Sequence, residues 1–296
     1  MRTMLAALVA VLLLAGCATT TRPDPYPPGS TSHTLEVDGT DRTYRVYVPS
    51  TLGEGPAALV VMLHGGFGSA EQAELVYGWD RQAERDGTVI AYPDGVGRSW
   101  NAGGCCGAAA KHDVDDVGFV EAMVAEIARG IDIDPRRTYA TGMSNGGILA
   151  YRLACVSDLF AAIAPVSATM LVDCHPPGPV SVLHIQGALD ESVPPDGSPG
   201  AGTQQIDGPP IDEVIAFWRG VDGCGPPVST TVTEVTTTRA DCGGDAVEYI
   251  EIADAGHQWP GAISSEIRDE LGGDPPSQRL DATAEIAAFF AAHPRR

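Results

Sequence analysis

The stretch Tyr139-Ala140-Thr141-Gly142-Met143-Ser144-Asn145-Gly146-Gly147 narrows the possible folds more than any other part of the chain. It reads as the end of a buried strand, a Gly-x-Ser-x-Gly bend, and the start of a helix. Such a bend lifts a serine hydroxyl clear of a sheet, and it needs glycines where a Cβ would strike the neighbouring strand or helix. The helix amides that begin at Asn145 point to where negative charge would gather on a bound oxygen. The bland alternative is a glycine-rich turn with an incidental serine. The flanks favour the bend, because Arg137 to Gly142 suits a short strand and Ile148 to Ala154 suits a helix.

A sheet able to carry that bend is predicted from eight strand-like runs. They are His33 to Val37, Thr43 to Val48, Ala58 to Leu63, Thr88 to Tyr92, Thr138 to Gly142, Ala161 to Pro165, Val180 to Gln186 and Val247 to Ile252. The first two alternate polar and apolar residues around Asp38-Gly39, which predicts an antiparallel hairpin. Most of the later runs are continuous and apolar, as in a parallel sheet covered on both faces. Helices are expected over Ala70 to Asp86, Asp116 to Ile131, Asn145 to Cys155, Ile211 to Arg219 and Ala282 to Ala292. The fold class is therefore α/β, a mostly parallel eight-stranded sheet with helices on both faces, on the plan of the α/β-hydrolase fold. Only Val166 to Pro179 separates the sixth and seventh strands, too little for a large lid domain, so an open, shallow cleft is expected.

Ligand chemistry in such sheets lies beyond the carboxyl ends of the strands. A serine hydroxyl needs a base there, and the base needs a carboxylate to fix its tautomer. Ser144, Asp190 and His257 follow the fifth, seventh and eighth strands in the order Ser, Asp, His that this fold uses. His184 lies inside a strand and reads as a core or supporting residue. Glu191 and Asp196 are the alternatives to Asp190. The oxyanion amides are expected from Asn145 and from the loop His64-Gly65-Gly66-Phe67, with Gly66 or Phe67 as donor. Trp100 and Trp259 lie on predicted site loops, where they either form an aromatic floor for substrate or bury against the core. His64 is grouped with them as a substrate contact. The acidic run Asp113-Val114-Asp115-Asp116 suits a helix N-terminus better than a cation site.

Charge and cysteines bound the setting. A net charge of −21 disfavours nucleic acid and anionic bilayer faces as partners. Arg2 followed by the apolar run Met4 to Leu14 reads as an export leader, too short to span a bilayer. Leu14-Ala15-Gly16-Cys17 resembles a lipobox, so residues 1–16 are expected to be removed and Cys17 lipidated. Residues 17–32, rich in Thr, Pro, Gly and Ser, read as a tether, and 33–296 as the catalytic domain. An extracytoplasmic protein, membrane-anchored or secreted, follows, touching membrane only through its lipid. Of the seven cysteines, six then remain free to pair in an oxidising compartment. Cys224 with Cys242 is the expected disulfide, and Cys105 or Cys106 with Cys174 a weaker one, Cys155 falling at the far end of its helix. No spacing suits a metal, and none is expected.

Together, Leu63-His64-Gly65-Gly66, Tyr92-Pro93-Asp94-Gly95, Trp100-Asn101-Ala102-Gly103-Gly104-Cys105-Cys106-Gly107, Asp115-Asp116-Val117, Gly142-Met143-Ser144-Asn145-Gly146 and His257-Gln258-Trp259-Pro260-Gly261 resemble the bacterial polyhydroxybutyrate depolymerase esterases. These are similar to the feruloyl and acetylxylan esterases of carbohydrate esterase family 1. The resemblance spans about Thr34 to His293; Gln258 departs from it where a small or hydroxylated residue is usual. It implies serine-dependent hydrolysis of carboxylic esters without metal or organic cofactor. The substrate is then a hydroxyalkanoate polymer, a feruloylated or acetylated polysaccharide, or a small acyl ester. A serine peptidase of the same fold and a polymer-binding protein without turnover are the competing readings.

Overall fold

The computed structural model of the chain describes residues 26–175, 178–201, 205–263 and 274–296. The expected leader, Cys17 and the first part of the tether lie outside them. Among the described residues, ten strands form one sheet. They are β1 (Gly29–Val37), β2 (Thr40–Val48), β3 (Ala57–Leu63), β4 (Val89–Pro93), β5 (Ile133–Met143), β6 (Ala162–Val166), β7 (Ser181–Gly187), β8 (Val228–Val232), β9 (Val235–Asp241) and β10 (Ala246–Ile252). Their order across the sheet is β1-β2-β4-β3-β5-β6-β7-β10-β9-β8. The strands from β4 through β3, β5, β6 and β7 to β10 pair in parallel, and antiparallel hairpins flank them on both sides.

Side chains along β3 alternate between two cores. Leu59, Val61 and Leu63 face one, and Val60 and Met62 the other. The first core is closed by α4 (Asp116–Gly130), α5 (Asn145–Val156) and α6 (Ile211–Val221). The second is closed by α1 (Ala70–Tyr77), α2 (Trp79–Asp86) and α7 (Ala282–Ala292). A short α3 (Gly107–Lys111) lies outside both groups. The α/β-hydrolase architecture with helices on both faces is thus present, and the segment from β6 to β7 carries no helix or strand among the described residues. No helix among them is long and apolar enough to cross a membrane.

Four expectations are corrected. The sheet has ten strands rather than eight, because the Thr-rich segment before β10 folds as a β8–β9 hairpin around Thr233 and Glu234, both at positive φ. All five residues of β8 are exposed, so no buried stripe marks it in the sequence. The helix expected over 70–86 is two helices, since Gly78 at φ 79° ends α1 and starts α2. β1 starts at Gly29, ahead of the expected 33, and Tyr26 is buried against the sheet, so the fold takes in the end of the supposed tether. Finally, Cys224 pairs with Cys242 as anticipated, but Cys174 bonds Cys155, and Cys105 bonds Cys106. The reason is the path of the β6–β7 segment: it packs Leu171 and Val172 against Gly103 and Gly104, then reaches the end of α5 where Cys155 sits.

Candidate active site

Ser144 stands between β5 and α5 at φ 53°, ψ −121°, backbone that a non-glycine residue adopts only under strain. Its amide is tied to Val166 O on β6 at 2.8 Å. The neighbouring glycines make that geometry possible. A Cβ on Gly142 would lie 2.5 Å from the carbonyl carbon of Gly146 and 2.8 Å from Leu63 O. One on Gly146 would strike Leu63 O and His64 O.

Asp190 follows β7 and His257 follows β10. The imidazole Nδ1 lies 2.9 Å from Asp190 Oδ2 and 3.1 Å from Oδ1. Asp190 is buried, and its charge is balanced by donors: Ser192 N and Val193 N reach Oδ1 at 2.9 and 2.8 Å, and Gln186 Nε2 reaches Oδ2 at 3.0 Å. Such a carboxylate accepts a hydrogen bond from Nδ1–H and so leaves Nε2 as the basic nitrogen. Ser144 and His257 line one cavity of about 420 Å³, with Asp190 behind the imidazole. Asp274, which sequence reasoning did not single out, accepts the His257 backbone N–H at 2.6 Å and also borders the cavity.

The backbone amides expected to serve an oxyanion differ in their bonding. Phe67 N–H donates to Arg98 O at 2.8 Å, so that amide is committed, while the Phe67 ring lines the cavity half exposed. The amides of Gly66 and Asn145 have no protein acceptor among the described residues, and both residues line the cavity. Arg98 fixes this loop twice, since its Nε also donates to Gly68 O at 3.2 Å.

Of the three expected substrate contacts, Trp100 and His64 lie off the cavity and Trp259 lies on it. Trp100 is fully buried and does not line the cavity; its Nε1 donates to His64 O at 2.9 Å. His64 is buried as well, accepting Gly95 N–H on Nε2 at 3.0 Å and donating from Nδ1 to Gly65 O at 2.7 Å. Burial pushes its pKa down to about 4, so it stays neutral. Both residues brace the loop between β3 and α1, because a buried loop must satisfy its own backbone. Trp259 stacks on Tyr77 at 4.7 Å and gives Nε1 to Thr283, and it also borders the cavity.

Asn145 also makes a structural bridge that its position after the serine did not disclose. Its side-chain amide meets Trp100 N and Trp100 O at 2.7 and 3.0 Å, locking the nucleophile helix to the tryptophan loop. The Asp113–Asp116 run is absorbed structurally: Asp115 caps α4 through Gly118 N, and Asp116 pairs with Arg42 and accepts Asn101 N. Asp222 with Cys224 and Cys242 is the cluster of metal-type ligand atoms among the described residues. It is remote from the cavity lining, and its sulfurs are bonded to each other.

The arrangement suits attack of a serine on a carbonyl. Residues 42–191 match the family described as esterase PHB depolymerase. The protein NocK of Nocardia uniformis subsp. tsuyamanensis, named as an esterase, is 33% identical over 88% of this chain and 82% of its own. Feruloyl esterase B of Piromyces equi is 32% identical over 69% of this chain and 40% of its own length. Among solved structures, the acetyl xylan esterase from Aspergillus awamori superposes with a TM-score of 0.57 at 15% identity, over 82% of this chain and 98% of that one.

Proposed function

The chain belongs to the esterase PHB depolymerase family and is a carboxylic ester hydrolase of the α/β-hydrolase fold, and from that premise we propose that it works through a Ser144–His257–Asp190 triad. In this reading Ser144 Oγ attacks the ester carbonyl while His257 Nε2 takes its proton. Asp190 stabilises the imidazolium, and the amides of Gly66 and Asn145 hold the oxyanion. Collapse expels the alcohol, protonated by His257, and leaves an acyl-enzyme. Water, deprotonated by the same imidazole, then releases the acid and restores Ser144. The observation that carries this is the Asp190 carboxylate seated on His257 Nδ1 at 2.9 Å, with Ser144 and His257 on one cavity.

The substrate class we propose is an ester carried on a polymer or polysaccharide. The relative named feruloyl esterase supports it, as does the absence of a helical cap among the described residues between β6 and β7. We further propose export and lipid attachment at Cys17, resting on the apolar run and the Leu14-Ala15-Gly16-Cys17 sequence. Product analysis on polyhydroxybutyrate, methyl ferulate, acetylated xylan and short nitrophenyl esters, beside Ser144→Ala, tests the activity. Turnover that survives the substitution would remove the triad, and peptide cleavage without ester turnover would make the protein a peptidase. Palmitate labelling that persists in Cys17→Ala would remove the anchor.

A further inference from the structure

We propose that Gln186 is a positioning residue for this reaction, fixing the Asp190 carboxylate against His257 through a buried hydrogen-bond chain that begins at Tyr151. The proposal rests on the triad reading. β7 is buried along its whole length, and most of its residues are what a covered strand calls for, Val182, Leu183 and Ile185. His184 and Gln186 break that pattern two residues apart, hence on one face, and both have no exposed surface. An amide and an imidazole in such a place are costly unless bonded.

Every bond in the chain takes its direction from the ionised end. A carboxylate only accepts, so Gln186 must present Nε2 to Asp190 Oδ2, at 3.0 Å, and the same nitrogen reaches Val193 O at 2.8 Å. Its Oε1 therefore faces His184 Nε2, at 3.2 Å, which must carry the proton. His184 Nδ1 is then the acceptor for the Tyr151 hydroxyl at 2.9 Å. Burial depresses the His184 pKa to about 4, so this tautomer persists through neutral pH.

Val193 closes a ring. Its carbonyl accepts from Gln186 while its amide donates to Asp190 Oδ1, so one side chain holds both the carboxylate and the loop that cradles it. Rotation of the carboxylate away from His257 would break bonds to Gln186, Ser192 and Val193 together. The groups facing this chain are few. Asp190 meets His257, whose backbone N–H is held by Asp274. His184 meets Tyr151 from α5 and, at 5.7 Å between rings, Tyr249 from β10, whose hydroxyl donates to Glu251.

A double-mutant cycle tests the proposal on the full chain. Gln186→Met keeps the volume and removes the bond to the carboxylate. The expected result is a fall in kcat of about ten- to a hundredfold with KM within about twofold, the scale of one hydrogen bond to a charged group. With a donor gone, Asp190 holds more negative potential toward His257, so the acid limb of kcat/KM moves to higher pH. In an Asp190→Asn background the same substitution should change kcat by less than about twofold, because the carboxylate it positions against His257 is gone. Equal losses in both backgrounds, or an unmoved acid limb, would make Gln186 a general packing residue and overturn the proposal. Should Gln186→Met fail to fold, Tyr151→Phe runs the same cycle from the remote end. A loss of about two- to fivefold confined to the Asp190 background supports the chain, and none, or one equal in both, refutes it. Full activity of Asp190→Asn alone would instead strike the triad from which the chain takes its purpose.

Discussion

The backbone strain at Ser144 is held in place by contacts that have nothing to do with its hydroxyl. Gly142 and Gly146 lie so close to β3 that no side chain fits between, and both obstacles are backbone, which cannot rotate away. Gly146→Ala is therefore predicted to destabilise the fold by about 3 kcal/mol or more and to depress kcat strongly, read by urea unfolding and nitrophenyl ester turnover. Gly66→Ala makes the contrasting control. A Cβ there would meet only Asn145 Cβ, at 4.0 Å, so stability should stay within about 1 kcal/mol of the parent. Equal losses of stability for both variants would show that steric closure at the bend is not what distinguishes them. The same contrast explains what the sequence made legible at this scale. Ser144, Asp190 and His257 each follow a strand directly, so the sequence could place all three at one edge of the sheet, where His257 bonds Asp190 and shares a cavity with Ser144. Gln186 and Tyr151 are bonded through a side-chain route with no local signal. The positions of Trp100 and His64 announce which loop they occupy but not that their rings turn inward.

Between elements, the loop from β3 to α1, which we propose holds the oxyanion, is a suspended turn held by its neighbours. Trp100 Nε1 holds His64 O, the His64 ring holds Gly95 N, and Arg98 holds Phe67 N and Gly68 O. Trp100→Phe keeps an aromatic ring at this buried position and deletes the pyrrole half with its N–H donor. The predicted result is a drop in kcat of about tenfold with KM little changed, since the loop moves while no substrate contact is lost. A rise in KM at constant kcat would mean that the indole touches substrate after all. The β8–β9 hairpin shows the opposite kind of element, one joined to the sheet edge and stapled by Cys224–Cys242 across a separation of 18 residues. Replacing both cysteines by alanine should remove about 3 kcal/mol of stability in the chain-entropy picture and leave kcat/KM unaltered, because no residue of the hairpin lines the cavity. β8 escaped the sequence reading because a strand with no buried face has no period to detect, and β9, half-buried over four successive residues, shows no alternation either, whereas the parallel strands announce themselves as apolar runs.

Across the whole molecule, stability depends on two sets of buried titrating groups that act in opposite directions. His64 and His184 have pKa values lowered to about 4 by burial, so their contribution is complete above the usual histidine range and is lost as pH falls toward 4. Asp80 and Asp222 are raised, to about 6 and about 7, again mainly by burial. A raised carboxyl binds its proton more tightly in the folded chain, so its contribution is complete below the usual aspartate range and disappears as pH rises through those values. The two sets therefore offset each other between about pH 4 and 6.5, and above about pH 7 the cost of ionised Asp222 stands in full. That residue ends α6 with Oδ1 accepting Val180 N at 3.2 Å, while Oδ2 is buried without a hydrogen-bond partner and Asp245 adds like charge. Asp222→Asn keeps the acceptor for Val180 and removes the charge. Its melting temperature should exceed the parent's by about 3 °C at pH 8, and the gap should close steadily on acidification until it vanishes near pH 4. A gap that stays constant across this range would assign the stabilisation to packing rather than to the ionised carboxylate. Activity on a small ester should not change at any pH, since Asp222 lies outside the cavity that Ser144 and His257 line.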